Sequence, residues 1–113
     1  MATHPDFVAF VCEQVDLGAR VTYRKMFGEY ALYLDGKVVA FACDNHLYLK
    51  PTAAGRALLA QPDEHPPYPG GKPHFRLGDA LDDRALMRRL LLVTADALPA
   101  PTPKRVRRAA PKG

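Results

Sequence analysis

Tryptophan is absent from this 113-residue chain, cysteine occurs only twice, and no acidic residue follows Asp96. No apolar run approaches the ~18 residues that a membrane-crossing helix needs. Val38–Cys43 and Leu90–Val93 are long enough only for core elements. Met1 to Pro5 carries no basic n-region, and Phe7–Cys12 is too short for a secretory h-region, so the sequence reads as cytoplasmic with no membrane association. Cys12 and Cys43 lie in separate apolar segments without Cys-x-x-Cys spacing. That excludes a disulfide framework and predicts two reduced, buried thiols. His4, His46, His65 and His74 are scattered, with none of the spacings that build a zinc site, so neither a metal nor a cofactor is expected.

What is present suits one folded domain. Apolar residues make up 48% of the chain and charged residues 25%, enough for a core without help from metals or cross-links. The formal charge of +4 is distributed unevenly. Residues 1–98 hold 11 Lys+Arg against 12 Asp+Glu, a net of −1, whereas residues 99–113 hold five bases and no acid. Those bases are Lys104, Arg105, Arg107, Arg108 and Lys112, set among four prolines with Val106 as the one large apolar side chain. Such a segment buries too little to offset its ordering entropy, so 99–113 is expected to be a disordered, Pro-rich basic tail behind a folded domain at 1–98.

Phe7, Phe10, Val11 and Val15 recur at helical spacing, with Pro5 and Asp6 suited to the first turn and Gly18 placed to stop the helix. Val21 to Phe27 alternates like a strand. Tyr30–Leu34 and Lys37–Cys43 around Asp35-Gly36 read as a hairpin with a primed turn, and Asp44-Asn45 turns the chain into a third strand, His46–Lys50. Thr52 is placed to cap a short helix, Ala53–Ala60. The five prolines of Gln61–Pro73 predict a long connection, with Pro67–Pro69 as a candidate edge strand. His74–Leu77 reads as a strand, and Asp79 or Asp82 as the cap of a last helix over about Asp83–Leu98. The order is that of an α+β domain, a two-layer sandwich with helices on one face of an antiparallel sheet.

Chemistry-bearing constellations are sparse. Cys43 and His46 invite a dyad but straddle a turn and lack a third orienting group; a strand-end thiol is the plain alternative. Gly70-Gly71-Lys72 lacks the upstream glycine and following Ser or Thr of a phosphate loop, and Pro73 blocks the helix that should follow. Asp63-Glu64 falls in the proline-rich connection, and Asp82-Asp83 opens a helix, where carboxylates satisfy amides. Tyr23, Phe27, Tyr30, Tyr33, Phe41 and Tyr48 lie beside Arg24, Lys25 and Lys50, a mix that stacks bases in some sheet proteins, though alternation turns about half of them into the core.

Arg24-Lys25-Met26-Phe27-Gly28, then Tyr30-Ala31-Leu32-Tyr33, Asp35-Gly36-Lys37, Val38–Ala42 and Leu47-Tyr48-Leu49-Lys50, resembles the N-terminal domain of the TfoX/Sxy family of bacterial competence regulators. The match is tightest over Val21–Pro51 and extends more loosely to about residue 98. The resemblance implies a fold like that of type III secretion chaperones, α-β(3)-α-β(2)-α, provided Thr22 to Phe27 leads into the first strand and the segment near Tyr68 supplies an edge strand. It also implies an accessory role in transcription, acting with the cyclic AMP receptor protein in the best-known members. The family's second glycine is Glu29 here, and in place of the regulators' C-terminal helical domain stands the basic tail. Within the motif, Met26 and Phe27 are expected to pack the sheet while Gly28 permits a bulge or bend, and Arg24 and Lys25 are candidates for docking a partner protein or nucleic acid.

The leading expectation is a non-enzymatic regulatory module accessory to transcription. Its body, through Arg24, Lys25, Met26, Phe27 and Gly28, would meet a protein partner, with a transcription factor as one candidate. Its tail would attract nucleic acid weakly and without sequence preference. The alternatives are a protein-interaction module or homodimeric adaptor with no nucleic-acid role, and a small enzyme whose pocket gathers His46 or His74 with an acid or Cys43.

Overall fold

The structure, a computed structural model, describes residues 3–99; the tail cations Lys104, Arg105, Arg107, Arg108 and Lys112 lie outside them. Helix α1 (Pro5–Val15) is capped by His4, whose Nδ1 accepts from the Asp6 amide at 3.1 Å. It buries Val8, Val11 and Val15. The expectation that Gly18 stops this helix is corrected: it ends at Val15, where Asp16 takes a left-handed φ of 53°, and Gly18–Arg20 forms a separate 3₁₀ turn. The Asp16 carboxylate accepts from Arg88 at 2.8 Å, a contact invisible to local sequence rules.

Four strands follow, β1 (Val21–Met26), β2 (Glu29–Leu34), β3 (Lys37–Cys43) and β4 (His46–Leu49). After them come α2 (Ala53–Leu58), β5 (Glu64–His65), β6 (His74–Leu77), a 3₁₀ turn (Asp79–Asp82) and α3 (Arg84–Ala97). The strands form one antiparallel sheet in the order β1-β2-β3-β4-β6-β5, so the domain is α+β as expected. Val21–Met26 is a strand of its own, giving one strand more before α2 than the family order read from the sequence. The edge strand is Glu64–His65, not Pro67–Pro69. Ladder pairing needs backbone N–H groups, which prolines lack.

Strand register separates the two faces, because directly opposed residues project to the same side. Tyr30–Ala42–Leu47–Leu77 and Leu32–Ala40–Leu49–Phe75 run across four strands as two buried rows. Against them pack the α1 valines and Met87, Leu90 and Leu91 of α3. Fully burying one such leucine is worth about 1.5–3 kcal/mol. Exposed ion pairs such as Arg20–Asp35 (2.7 Å) and Arg56–Glu64 (2.6 Å) contribute under about 1 kcal/mol each, so the rows hold the fold and the pairs trim its surface.

Helix α3 is fixed at both ends. The expected caps Asp79 and Asp82 are corrected to Asp83, whose Oδ1 accepts from the Leu86 amide at 3.0 Å; the two others sit in the preceding 3₁₀ turn. At the C-terminus, Lys37 Nζ donates to the Ala95 and Leu98 carbonyls at 2.8 and 3.1 Å, placing a cation where the helix dipole favours one. Thr52 caps α2 as expected, accepting from the Gly55 amide at 3.0 Å.

Candidate interaction site at the first hairpin tip

Three two-residue turns join β1 to β4: Phe27-Gly28, Asp35-Gly36 and Asp44-Asn45, and all six residues have positive φ. This is the backbone of a primed hairpin turn, whose twist matches that of the strands. Asp and Asn tolerate the left-handed region through short polar side chains. Phe27, at φ 52°, has no such compensation, and a bulky residue there costs of the order of 1–2 kcal/mol. Burial does not offset the cost, since Phe27 is fully exposed at 104%. Its neighbour Met26 is 42% exposed. The expectation that these two side chains pack the sheet is therefore corrected: by register Met26 lies on the face opposite the helices, and Phe27 occupies the turn itself, so neither meets the helical layer. Gly28 does serve backbone geometry, at φ 84°, but in a turn and not a bulge.

Strand β1 is the outer edge of the sheet, and Thr22 to Met26 are all exposed. A two-residue turn makes Met26–Glu29 a hydrogen-bonded pair, and the Asp35 amide donates to the Arg20 carbonyl at 2.9 Å at the other end of the same ladder. The alternation then points the N–H and C=O of Tyr23 and Lys25 away from β2, toward solvent. Among the described residues, Arg24 and Lys25 make no ion pair and no side-chain hydrogen bond. Tyr23 leans inward, its ring edge-on to Tyr30 at 5.7 Å.

Beneath the tip, on the face opposite the helices, lies a mainly apolar cavity of about 320 Å³. Met26, Phe27, Glu29, Tyr30, Phe41, Cys43, Pro67 and Tyr68 line it. Pro67 and Tyr68 come from the long connection; Tyr68 is held over the sheet by a turn in which the Gly71 amide donates to its carbonyl at 3.0 Å. A β-carbon at Gly71 would stand 2.9 Å from the Tyr68 ring and 3.1 Å from its carbonyl, so a side chain there would push the ring aside, and Gly70-Gly71-Lys72 leads into β6, not into a phosphate-binding helix. The Glu29 carboxylate is engaged, accepting from Thr3 Oγ1 at 2.5 Å and the Asp44 amide at 3.2 Å.

The remaining candidates do not converge. Burial, aided by the Glu29 charge, pushes the Cys43 thiol up to about 11, which leaves it protonated at neutral pH and a poor nucleophile. His46, exposed, has its Nδ1 2.8 Å from the Asp44 carbonyl. Asp63 is bound by His65 at 2.8 Å and Arg76 at 3.2 Å, which hold its carboxyl below the ordinary range, and Glu64 pairs with Arg56. No group of three or more His, Cys, Asp or Glu able to hold a metal occurs among the described residues, and no helix among them is long and apolar enough to cross a membrane. The aromatics expected on the sheet divide by depth: Tyr30 and Tyr48 are buried, Tyr33 and Phe41 half-buried, and Tyr23 and Phe27 exposed. A base-stacking platform would need its rings bare. Pro67 and Tyr68, read from the sequence as part of an edge strand, instead complete the cavity, because only the path of the connection across the sheet brings them there.

The profile of the TfoX N-terminal domain matches residues 13–98. An uncharacterized 12.7 kDa protein in the trpE 5′ region of Spirochaeta aurantia is 46% identical over 111 residues, covering 98% of this chain and 96% of that protein. The match spans the hairpin, the meander and the closing helix, and on this evidence the chain belongs to the TfoX N-terminal domain family.

Proposed function

We propose that this protein is a non-enzymatic regulatory module, accessory to transcription, that works by docking a protein partner at Arg24, Lys25, Met26, Phe27 and Gly28. The observation that carries the reading is Phe27 itself, an aromatic side chain fully exposed on a backbone conformation that disfavours it. Strain kept at an exposed position, where packing gives nothing back, marks a residue held for function. Family membership supports a regulatory role of the kind its competence regulators play. In the same reading, Lys104, Arg105, Arg107, Arg108 and Lys112 add sequence-independent attraction to nucleic acid near the partner.

Affinity capture with the full chain from nuclease-treated extract tests the docking surface, comparing wild type with Phe27→Asn. Asparagine keeps the turn and removes the ring. The expected result is a protein held by wild type and lost by the variant, with unchanged far-ultraviolet circular dichroism. The same retained proteins in both samples would overturn the reading.

A further inference from the structure

We infer that the β1 edge receives an extended, acidic-apolar segment of the partner as an added strand, with one large apolar side chain seated in the cavity beneath Phe27. The inference rests on the docking reading above and gives it a binding mode and a partner chemistry. Three observations converge on it. The edge presents free N–H and C=O groups at Tyr23 and Lys25, the requirement for strand addition. Next to them stand two exposed cations, Arg24 and Lys25, without carboxylate partners among the described residues. Arg20, by contrast, is taken by Asp35 through two hydrogen bonds at 3.1 and 2.7 Å.

The cavity supplies the third element. Arg24 and Met26 are two positions apart on one strand and so share a face, the face onto which the cavity opens; Lys25 projects to the other. A strand laid along β1 therefore meets Met26 with an apolar residue, Arg24 with an acid two positions away, and Lys25 with an acid between them. The recognised element is a large apolar residue followed or preceded by two acids in β conformation. Glu29 keeps its charge but stands opposite Met26, where the apolar residue sits, so the two acids fall farther along the strand at Lys25 and Arg24.

Charge decides against the two other occupants of the edge. A second copy would bring two Arg24 and two Lys25 side chains onto one ribbon, and β1 carries no acid to offset them. The chain's own tail, with five bases and no acid, is repelled by the same two cations.

The test uses the full ¹⁵N-labelled chain and two blocked peptides of about eight residues, alternating threonine and valine around a central leucine–glutamate–glutamate or leucine–lysine–lysine. The acidic peptide is expected to bind at least about tenfold more tightly, to shift the Tyr23, Lys25 and Phe27 amides, and to slow hydrogen exchange at Tyr23 and Lys25. Arg24→Glu with Lys25→Glu reverses the preference between peptides. Tyr23→Pro removes an N–H that faces away from β2, so it blocks the added strand by about tenfold or more while leaving the β1–β2 ladder paired. Equal binding of the two peptides, an unchanged preference in the charge-reversed variant, or perturbations confined to another surface would overturn strand addition. So would a doubled mass in sedimentation that Tyr23→Pro abolishes, which assigns the edge to a second copy. If no peptide binds yet partner capture still depends on Phe27, strand addition fails and docking stands; if capture ignores Phe27, docking itself fails.

Discussion

The Thr3 hydroxyl donates to the Glu29 carboxylate at 2.5 Å, tying the residues before α1 to the start of β2. Around this bond the Thr3 amide donates to the Gly28 carbonyl at 3.0 Å, the His4 amide to Asn45 Oδ1 at 2.8 Å and the Asp44 amide to Glu29 at 3.2 Å. Two hairpin turns and the N-terminal segment are thus tied together by Thr3, Glu29 and Asn45. Glu29 does not have positive φ, so the position where the family has glycine accepts a side chain here and uses it. Thr3→Val removes the hydroxyl and leaves Glu29 short of a donor. A loss of about 1–2 kcal/mol is expected, read as a lower urea midpoint with unchanged slope.

Phe27→Asn acts in the opposite sense on stability. It relieves the left-handed strain without giving up buried area, and a gain of about 1 kcal/mol is expected. For a domain of this size that corresponds to a melting point about 4–8 °C higher. A variant that binds less and melts higher separates the functional cost of Phe27 from any structural one.

Thr94 is fully buried in α3, and its Oγ1 has no hydrogen-bond partner. Valine has nearly the same shape and no hydroxyl to desolvate. Thr94→Val is expected to stabilise by about 1 kcal/mol in denaturant titration. Restored or lower stability would mean that the hydroxyl is satisfied in solution.

The Cys43 thiol is raised from its usual 9.0 to about 11, chiefly by burial. A group whose folded value lies above its unfolded one contributes stability that is complete below pH 9.0 and is lost as pH climbs to about 11. Stability should fall over that window, and Cys43→Ala should flatten the fall. In a Cys12→Ser background, alkylation of Cys43 should stay slow at pH 8 and accelerate only above about pH 10.

The tail makes a quantitative prediction about salt. If each of its five cations neutralises one phosphate, the log-log dependence of duplex DNA affinity on salt has a slope of up to about −4.5. Removing residues 99–113 should weaken binding and flatten the slope toward zero, measured by fluorescence anisotropy from low to moderate salt. An unchanged slope would remove the tail from the account.

Much of the meander was legible because its signals are local. Asp35-Gly36 and Asp44-Asn45 can turn left-handed wherever they occur, and the strands between them alternate or run apolar. The turn at Phe27-Gly28 was not, since a bulky residue in that conformation contradicts local preference, and it carries the exposed ring of the candidate site. Similarly, Leu32, Ala40, Leu49 and Phe75 could each be named apolar from the sequence, but that they make one buried row depends on register.

By itself the sequence determined the α+β order, the Asp-Gly and Asp-Asn turns, the concentration of positive charge in the last fifteen residues and the family, all of which follow from neighbours along the chain. Only the tertiary structure decided that Met26 and Phe27 face solvent, that β1 is an open edge, that Asp16 ends α1 where Arg88 meets it, and that Pro67 and Tyr68 close a cavity over Phe41. These depend on residues tens of positions apart being brought together, and no local propensity specifies which face of a strand finds a covering layer and which is left to a partner.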